Sequence, residues 1–550
     1  FFFFKKKRIY QYGHDIVTSF SSLIVSSGET ALLMVPSGLS QFLFHSPHFP
    51  LTSKSATIPS CKCLSNLHEQ SSSKLLTESE GTGAAAPTPG DRFIERQKLF
   101  EESTIAAKLP RRVKPKLKKP NTAVFTCYGC GAPLQTSDFD APGYVDLDTY
   151  SLKKRHHQLR TVLCGRCKLL SHGRMVTAVG GNGGYNGGKQ FVTADELREK
   201  LAHLRYEKAL IVKLVDIVDF NGSFLTHVRD LIGANPIILV VTKIDLLPKG
   251  TDLNCVGDWV VENTMKKKLN VLSVHLTSSK SLSGISGVVA EIQKEKKGRD
   301  VYILGAANVG KSAFTSALLK LMAERDPAAA AAQKYKPIQS AVPGTTLGPI
   351  PINAFLNGGK IFDTPGVHLH HRQTAVVQAD DLPFLAPRSR LRGRSFPVSS
   401  EENLNGWSLF WGGLVRIDVL NADPTMRLTF YGPTALEIHA LPTASADDFY
   451  LREVGAKLKP PNEVDQWRGL ENKRRIVMKW DEDERRGSDL AISGMGWICV
   501  EARAELEIHV PKSVEVFVRG RLPVGKDGSE SYQYTDLTEQ QLSLRPKFYF

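Results

Sequence analysis

Short apolar runs typical of buried β-strands recur through the middle of the chain and are separated by stretches with helical spacing. The runs lie at 209–216, 236–242, 269–276, 301–304 and 360–363. Segment 193–204 spaces leucines along one helical face and opens with Thr193 and Glu196, a capping-box pair, and segment 312–322 is also helical in pattern. This alternation predicts an α/β domain on a parallel sheet.

The pattern changes in the last third of the chain. Segments 413–420, 504–510 and 513–520 alternate apolar and polar residues with a period of two. Such alternation predicts half-buried strands, so we expect a separate, mostly β (α+β) domain with antiparallel pairing. Trp411 and Trp497 are expected to pack in its core.

The N-terminal part differs from both regions. It is rich in Ser and Thr, and up to residue 60 its only acidic residues are Asp15 and Glu29. This composition is typical of an organelle transit peptide, so residues 1–83 are assigned to a transit or disordered segment. Residues 84–120 are expected to form a basic linker arm. Two roles remain open for it: contact with a polyanion, or a solvated tether. Residues 180–188 are a glycine-rich break.

Charge and composition narrow the classes of protein. The 550 residues include 71 Lys and Arg but only 56 Asp and Glu, which gives a formal net charge of +15. This excess favours polyanionic partners, with nucleic acid ahead of membranes. The apolar fraction of 41% excludes a wholly disordered chain. No apolar run approaches the ~18–20 residues that cross a bilayer, so we expect no integral membrane association.

Four of the eight cysteines form two C-x-x-C pairs, Cys127 with Cys130 and Cys164 with Cys167. The 33 residues between the pairs exceed the usual ~12–20 of compact modules, yet four thiolates still suit a closed tetrahedral Zn²⁺ site. We predict a zinc finger over 121–178; redox pairs and an iron–sulfur site are the alternatives. His156, His157 and His172 are expected at the surface or on RNA, beside basic residues suited to phosphate.

A phosphate-binding loop follows the predicted strand 301–304. Residues 305–312 read GAANVGKS and match G-x-x-x-x-G-K-[ST] before a helical segment. Backbone N–H groups of such a loop surround phosphates, Lys311 meets the β- and γ-phosphates, and Ser312 supplies a Mg²⁺ ligand. The nucleotide contacts predicted here are Gly305, Asn308, Val309, Gly310, Lys311, Ser312 and Ala313.

Two further motifs select the base. Thr242, Lys243 and Asp245 form a Thr variant of N-K-x-D at the end of a strand. The Asp245 carboxylate can accept from N1–H and the exocyclic amine of guanine, a donor pair that adenine lacks. Thr242 is expected mainly to brace the loop. The second motif, Ser278-Ser279-Lys280, resembles the S-A-K loop beside guanine O6. Together they predict GTP and GDP as ligands.

The remaining motifs belong to the γ-phosphate and Mg²⁺. Asp363 opens Asp-Thr-Pro-Gly after the strand at 360–363 and is expected to hold Mg²⁺ through water, while the Gly366 amide senses the γ-phosphate. Thr345 and Thr346 lie in the first switch, and Thr346 is favoured as the Mg²⁺ ligand. Lys311, Thr346 and Gly366 form the predicted catalytic set.

The order of these motifs is unusual. The guanine motifs precede the phosphate loop, whereas in ordinary GTPases they follow it. The fold class is therefore predicted as α/β, a circularly permuted P-loop GTPase domain at 189–375 with an N-terminal zinc finger and a C-terminal region at 376–550. Permutation is tolerated because domain termini often lie close together. It also connects the C-terminal region directly to the second switch.

The motifs resemble those of the YqeH-like circularly permuted GTPases, most closely plant members of that family. The matching stretches are CYGCGAPLQTSDFD, LCGRCKLLSHG, LVDIVDFNGSF, VTKIDLLPKG, GAANVGKS, VPGTTLGPI, DTPGVHLHH and ISGMGW. The resemblance runs from about residue 84 to the C-terminus. It implies an RNA-associating C-terminal region, rRNA and small-subunit precursors as partners, a role in ribosome assembly, and a chloroplast location with the mitochondrion as alternative.

Two positions carry expectations about turnover. By resemblance, Asn308 matches the asparagine that holds K⁺ in potassium-activated relatives; a hydrogen bond within the loop is the alternative. Val367 stands where Ras-type GTPases keep a water-orienting Gln, and an apolar side chain cannot position water. We therefore expect slow intrinsic GTP hydrolysis that K⁺ or a partner stimulates.

Two other functions remain as alternatives. One is a nucleotide-gated RNA-binding module with negligible turnover. The other, more remote, is a redox enzyme that forms nitric oxide, which needs haem, flavin and NADPH sites; the sequence has no G-x-G-x-x-G after a strand. Asp216 and Asp219 are expected to brace a loop, and His368, His370 and His371 to lie on a solvated loop.

Overall fold

The structure is a computed structural model. It describes residues 125–172, 193–225, 228–335, 345–378, 380–397, 403–478, 487–534 and 537–550. The predicted transit peptide, basic arm and glycine-rich break lie outside the described residues.

A seven-stranded sheet carries the nucleotide motifs. Its strands are β1 (Ala209–Asp216), β2 (Ile237–Thr242), β3 (Val271–Leu276), β4 (Asp300–Leu304), β5 (Ile350–Ile352), β6 (Ile361–Asp363) and β17 (Lys547–Tyr549). The order is β17-β3-β2-β1-β4-β6-β5, parallel throughout except for the β5–β6 pair. The five predicted strands are confirmed, each within two residues of its expected start.

Helices occur in all parts of the described chain. The α-helices are α1 (Leu147–Arg155), α2 (Gly165–Ser171), α3 (Ala194–Lys200), α4 (Val228–Ile232), α5 (Leu253–Met265), α6 (Ile285–Lys296), α7 (Lys311–Met322), α8 (Pro327–Ala332), α9 (Gln373–Val376), α10 (Leu382–Leu385), α11 (Ala446–Glu453), α12 (Gly525–Glu530) and α13 (Glu539–Leu544). Short 3₁₀ turns occupy Leu159–Thr161, Ala202–Arg205, Ile244–Leu246, Gln333–Tyr335 and Thr443–Ser445.

The predicted helix at 193–204 is shorter than its pattern suggested. Helix α3 covers its first half and a 3₁₀ turn covers the rest. The predicted cap is present, because the Glu196 N–H donates to the Thr193 hydroxyl over 3.1 Å. Leu197, Leu201 and Leu204 are all buried against the sheet, as their spacing required.

Two five-stranded antiparallel sheets make up most of the C-terminal region. The first has the order β16-β13-β14-β10-β7 and the second β11-β8-β9-β15-β12. Their strands are β7 (Arg394–Phe396), β8 (Trp407–Trp411), β9 (Val415–Ala422), β10 (Leu428–Tyr431), β11 (Ile438–Pro442), β12 (Asn472–Met478), β13 (Ser488–Ile492), β14 (Gly496–Val500), β15 (Ala504–Val510) and β16 (Val516–Gly520). Strand β15 alternates buried and half-buried residues, and Trp411 and Trp497 are fully buried, as predicted.

The two regions share a hydrophobic core. Trp259 of α5 belongs to the same buried cluster as Trp497 and Leu522 of the C-terminal region. Burial of such side chains contributes roughly 1.5–3 kcal/mol each. The end of the chain returns to the first sheet as β17, where Tyr549 stacks on His275 at 5.0 Å. Part of the segment 376–550 therefore completes the nucleotide-domain sheet.

None of the helices among the described residues combines the length and the apolar character that a bilayer crossing requires.

Candidate nucleotide site and cysteine cluster

The phosphate-binding loop joins β4 to α7. Asn308 and Gly310 adopt left-handed backbone conformations, with φ of 62° and 90°. Gly305 is required by a close approach, because a Cβ there would lie 2.9 Å from Cγ2 of Val309 and 3.1 Å from the Leu214 carbonyl oxygen. The Asn308 side chain makes no hydrogen bond to a described residue, so the alternative of a bond within the loop finds no support here.

Lys311 is buried at the start of α7. Its Nζ donates to the Ala306 carbonyl oxygen over 2.8 Å, and the residue is 7% exposed. Burial lowers the pKa of Lys311 to about 8, while the charge of Asp363 acts in the opposite direction. An ammonium group withdrawn from water gains more from a phosphate ligand than an exposed one does.

Asp363, at the end of β6, fits the expected Mg²⁺ site. It is fully buried; Oδ1 accepts from the Thr315 hydroxyl over 3.3 Å, and Oδ2 has no hydrogen-bond partner among the described residues. Burial raises the pKa of Asp363 to about 6, and Lys311 opposes that rise. A buried carboxylate oxygen without a donor suits a hard divalent cation, which Ser312 and Thr346 would help to hold.

The second switch packs directly on the phosphate loop. The Ala307 N–H donates to the Val367 carbonyl over 2.8 Å, and the Val367 N–H donates to Gly305 over 3.2 Å. A Cβ at Gly366 would lie 2.8 Å from Nζ of Lys311 and 2.9 Å from Cα of Ala307. The backbone of Gly366 therefore reaches the Lys311 ammonium. Val367 is 2% exposed and brings no polar group to the site.

Thr242 and Lys243 tie the base motif to the phosphate loop. The Thr242 hydroxyl lies 2.7 Å from the Val309 carbonyl oxygen, the bracing position expected for it. Lys243 has a left-handed backbone, and its Nζ donates to Asp216 Oδ2 over 2.5 Å and to the Asn308 carbonyl over 2.9 Å. Two motifs more than 60 residues apart in the chain thus form one site.

The base-recognition loops follow β2 and β3 at the carboxyl edge of the sheet. The carboxylate of Asp245, half-buried in a 3₁₀ turn, accepts no hydrogen bond from the described residues. The Ile244 N–H donates to the Thr277 carbonyl over 3.2 Å and brings the two loops together. Ser278 is buried, Ser279 half-buried and Lys280 exposed. Ligands of open α/β sheets bind at this edge.

Asp216 and Asp219 brace loops, as expected. Asp216 pairs with Lys243, and Asp219 Oδ2 accepts from Nε of Arg372 over 2.8 Å. Burial raises the pKa of Asp219, although the charge of Arg372 and the Gly494 N–H both lower it. The pattern of the Asp219 segment gave no sign that its partner would lie 153 residues away.

The expectation of a solvated histidine loop was wrong for His368, which is 5% exposed. Its segment is held between the nucleotide loop and the C-terminal region. Nε2 of His371 lies 3.1 Å from the Gly222 carbonyl oxygen, and the Glu515 N–H donates to the His371 carbonyl over 3.0 Å. Sequence reasoning also missed Arg372, because a single arginine after the switch has no distinguishing local pattern.

The four cysteines meet in one fully buried cluster. Their sulfur atoms all lie within 4.8 Å of one another, with Cys130 Sγ 3.9 Å from Cys164 Sγ. The Cys164 N–H points at Cys127 Sγ over 3.3 Å. Four adjacent sulfur atoms can all be thiolates only around a cation, and four thiolates are the donor set of structural Zn²⁺. This cluster includes none of His156, His157 and His172, which are exposed.

The cysteine cluster contacts the first switch. The Cys130 carbonyl accepts from the Leu347 N–H over 2.6 Å and from the Gly348 N–H over 3.2 Å. Leu347 also packs against the core of the cysteine module, and Nη1 of Arg166 donates to the Thr345 carbonyl over 3.4 Å. Thr345 and Thr346 are both buried.

Two protein families and several known proteins match this chain. The family described as 50S ribosome-binding GTPase matches residues 300–391, and the family described as YqeH-like, C-terminal matches residues 425–522. NO-associated protein 1, chloroplastic/mitochondrial, of Arabidopsis thaliana is 63% identical over 527 residues, which cover 89% of this chain and 93% of the relative.

More distant relatives extend this result. The GTP-binding protein Brassinazole insensitive pale green 2, chloroplastic, of Arabidopsis thaliana is 26% identical, over 58% of this chain and 50% of the relative. The uncharacterized protein YqeH of Bacillus subtilis is 31% identical, over 72% of this chain and 98% of the relative. With the GTPase motifs in permuted order on one sheet edge, the chain belongs to the YqeH-like family of circularly permuted GTPases.

Proposed function

We propose that this protein is a GTP-binding and GTP-hydrolysing switch that acts in assembly of the small ribosomal subunit of an organelle through contact with rRNA. One observation carries the proposal. Both segments that would sense the γ-phosphate are attached to other parts of the molecule. The first switch bonds to the cysteine module at Cys130, and the second bonds to the C-terminal region through Gln373 and Ser493. A nucleotide-dependent change can therefore reach two surfaces.

In the proposed site, each residue has a separate task. Lys311 and the backbone of Gly366 contact the γ-phosphate, and Asp245 binds guanine beside Lys280. Ser312, Thr346 and Asp363 would hold Mg²⁺, which when bound neutralises phosphate charge. Water attacks the γ-phosphorus, the bond to the β-phosphate oxygen breaks, and GDP and phosphate leave. Without a polar side chain at Val367, turnover is slow, and K⁺ at Asn308 or a ribosomal partner raises it.

The RNA contact is proposed for the cysteine module. Lys154, Arg155 and Lys168 are exposed on α1 and α2, and His156 and His157 follow them at the surface. Phosphate oxygens are the natural partners of such groups. The chloroplast, with the mitochondrion as alternative, is the proposed location, because one relative is named as a chloroplastic/mitochondrial protein and another as a chloroplastic one.

Sedimentation of the full chain with organelle ribosomal subunits tests the proposal. With a non-hydrolysable GTP analogue or with GDP, it should co-migrate with the small subunit in one nucleotide state. Lys311→Ala should abolish nucleotide binding and this co-migration. Lys320→Ala, an exposed lysine of the same helix α7, is the matched control and should change neither.

The other outcomes identify the alternatives. Co-migration with the large subunit alone would contradict the small-subunit assignment. RNA binding that survives Lys311→Ala, with no measurable hydrolysis by the parent protein, would favour the nucleotide-gated RNA-binding module. Formation of nitric oxide by the purified chain, independent of GTP, would favour the remote redox alternative.

A further inference from the structure

Arg372 is a buried cation beside the phosphate loop and lies six residues beyond Gly366. Its side chain is 5% exposed. Nη1 donates to the carbonyl oxygen of Ala307 over 2.7 Å, and Ala307 is the third residue of the phosphate-binding motif. The guanidinium therefore contacts the loop that surrounds the phosphates.

The remaining donors of Arg372 are unequally used. Nε donates to Asp219 Oδ2 over 2.8 Å. Nη2 makes no hydrogen bond to any described residue, although a guanidinium offers five N–H donors. Asp219 and Ala307 thus fix Nε and Nη1 of the guanidinium, and Nη2 is left to donate to a ligand.

Arg372 and Lys311 lie in one neighbourhood. The backbone of Gly366 approaches both Nζ of Lys311 and Cα of Ala307, and Ala307 is the residue whose carbonyl Arg372 contacts. Burial is the main reason that the pKa of Lys311 is low, and the charge of Arg372 lowers it further. Two desolvated cations near one loop favour a highly charged anion.

The position of Arg372 is firmly set from outside the pocket. The next residue, Gln373, donates from its backbone N–H to the Ser493 carbonyl over 2.8 Å and from Nε2 to the Leu414 carbonyl over 3.2 Å. Pre-organised charge of this kind costs little reorganisation when negative charge develops in the transition state.

We propose that Arg372 is a catalytic residue whose guanidinium, supplied by the same chain, contacts the γ-phosphate of GTP and stabilises the charge that develops during hydrolysis. Arg372 neither gives nor takes a proton when water attacks the γ-phosphorus. An arginine in this role is worth about 10³–10⁵ in rate in other GTPases. The proposal rests on GTP hydrolysis by this chain and not on its RNA partner, so the two can fail separately.

The experiment uses the full chain with Arg372→Lys and Arg372→Ala. Three quantities are measured: affinity for Mg²⁺-GDP, the single-turnover rate with GTP, and binding of GDP with aluminium fluoride, which mimics the transferring phosphoryl group. We expect GDP affinity within about threefold of the parent, a rate at least about 100-fold lower, and loss of the aluminium fluoride complex.

Arg519→Lys is the matched control. Arg519 of the C-terminal region is also a buried arginine, and its partners are Asp489 and Asn221 rather than the phosphate loop. It should leave the aluminium fluoride complex intact. The proposal is overturned if Arg372→Lys hydrolyses GTP within about threefold of the parent rate. It is also overturned if Arg372→Lys and Arg519→Lys weaken GDP binding and hydrolysis to the same extent. Arg372 would then only hold the structure in place. Arg372→Lys keeps the positive charge and removes the two amino groups of the guanidinium. It therefore tests the role of those groups even if Arg372→Ala does not fold.

Discussion

The two segments that would sense the γ-phosphate are held by different kinds of contact. The first switch meets the cysteine module through main-chain hydrogen bonds to Cys130 and the apolar side chain of Leu347. The second switch is held within the nucleotide domain by the buried ion pair of Arg372 with Asp219, and its Gln373 N–H donates to the Ser493 carbonyl of the C-terminal region. The first switch is held mainly by backbone hydrogen bonds and an apolar side chain, with Arg166 donating to the Thr345 carbonyl beside them. The second switch is held in addition by an ion pair removed from water.

This difference has energetic consequences. Main-chain hydrogen bonds contribute roughly 0.5–1.5 kcal/mol each, so the first contact can open and close with the nucleotide at small cost. Loss of one member of a buried ion pair costs about 3–5 kcal/mol because the other charge stays buried without a partner. We infer that the first contact is the readily reversible one and the second the rigid one. Four predictions test this contrast.

Removal of the cation site has the largest expected effect. Cys164→Ser should abolish Zn²⁺ binding and unfold residues 125–172, since structural Zn²⁺ supplies about 10–16 kcal/mol of folding free energy in small modules. Zinc content and trypsin cleavage within the module provide the measurement. Cys255→Ser, a buried cysteine outside the cluster, is the control. One zinc ion per chain in the Cys164 variant would show that the cluster is not a four-thiolate site.

Asp219→Ala should lower the free energy of unfolding by about 3–5 kcal/mol, because the Arg372 guanidinium remains buried and loses its carboxylate. Urea denaturation measures the change. Asp195→Ala removes a carboxylate that pairs with Arg198 at the surface, and should cost less than about 1 kcal/mol. Equal costs for the two variants would refute the idea that the second contact is the rigid one.

The buried pair of Asp489 with Arg519, whose guanidinium also donates to Asn221 of the nucleotide domain, should respond to pH. Burial raises the pKa of Asp489 to about 6, and its partner Arg519 opposes that rise. The native state therefore binds this proton more tightly than the unfolded chain, whose Asp pKa is about 4. The stabilisation from this group is complete below about pH 4 and is lost as the pH rises through about 6.

Asp489→Asn should remove this dependence, so the difference in unfolding free energy between parent and variant should change by up to about 3 kcal/mol between pH 4 and 7. Denaturant titrations at several pH values measure it, with Asp195→Asn as control. The hydrogen bonds of Cys130 involve no titrating group, so the cost of loosening that contact should not vary over the same range. A flat difference for Asp489→Asn would show that the buried Asp489–Arg519 pair does not make the stability depend on pH.

Gly348→Ala has the smallest expected effect. A Cβ there would lie 2.5 Å from the Gly131 carbonyl oxygen, so the switch must move away from the cysteine module. We expect a local cost of about 1 kcal/mol and faster hydrogen exchange at the Leu347 amide. Gly520→Ala is the control, because a Cβ at Gly520 meets no atom within 4 Å. Unchanged exchange at Leu347 would mean that Cys130 does not hold the first switch.

Much of the site followed from local patterns. Each nucleotide motif follows a strand, because binding of a phosphate or a base requires the loop backbone at a strand end. The motifs GAANVGKS, DTPG and TKID could therefore be predicted from residue types and their spacing. The paired cysteines were equally readable, and so were the strands at 209–216 and 236–242, whose continuous apolar residues indicate burial on both faces.

Other features were decided by packing between distant parts of the chain. Four features depend on contacts between segments far apart in sequence. They are the burial of His368, the bonds of Arg372 to Ala307 and Asp219, the contact of Cys130 with the first switch, and the pairing of Lys547–Tyr549 with the sheet. No local periodicity encodes such partners. The sequence by itself determined which elements form and which chemistry they carry, because those depend on neighbouring residues. Only the tertiary structure decided which cation meets the phosphate loop and which switch is held by a buried ion pair, because those depend on what the fold buries together.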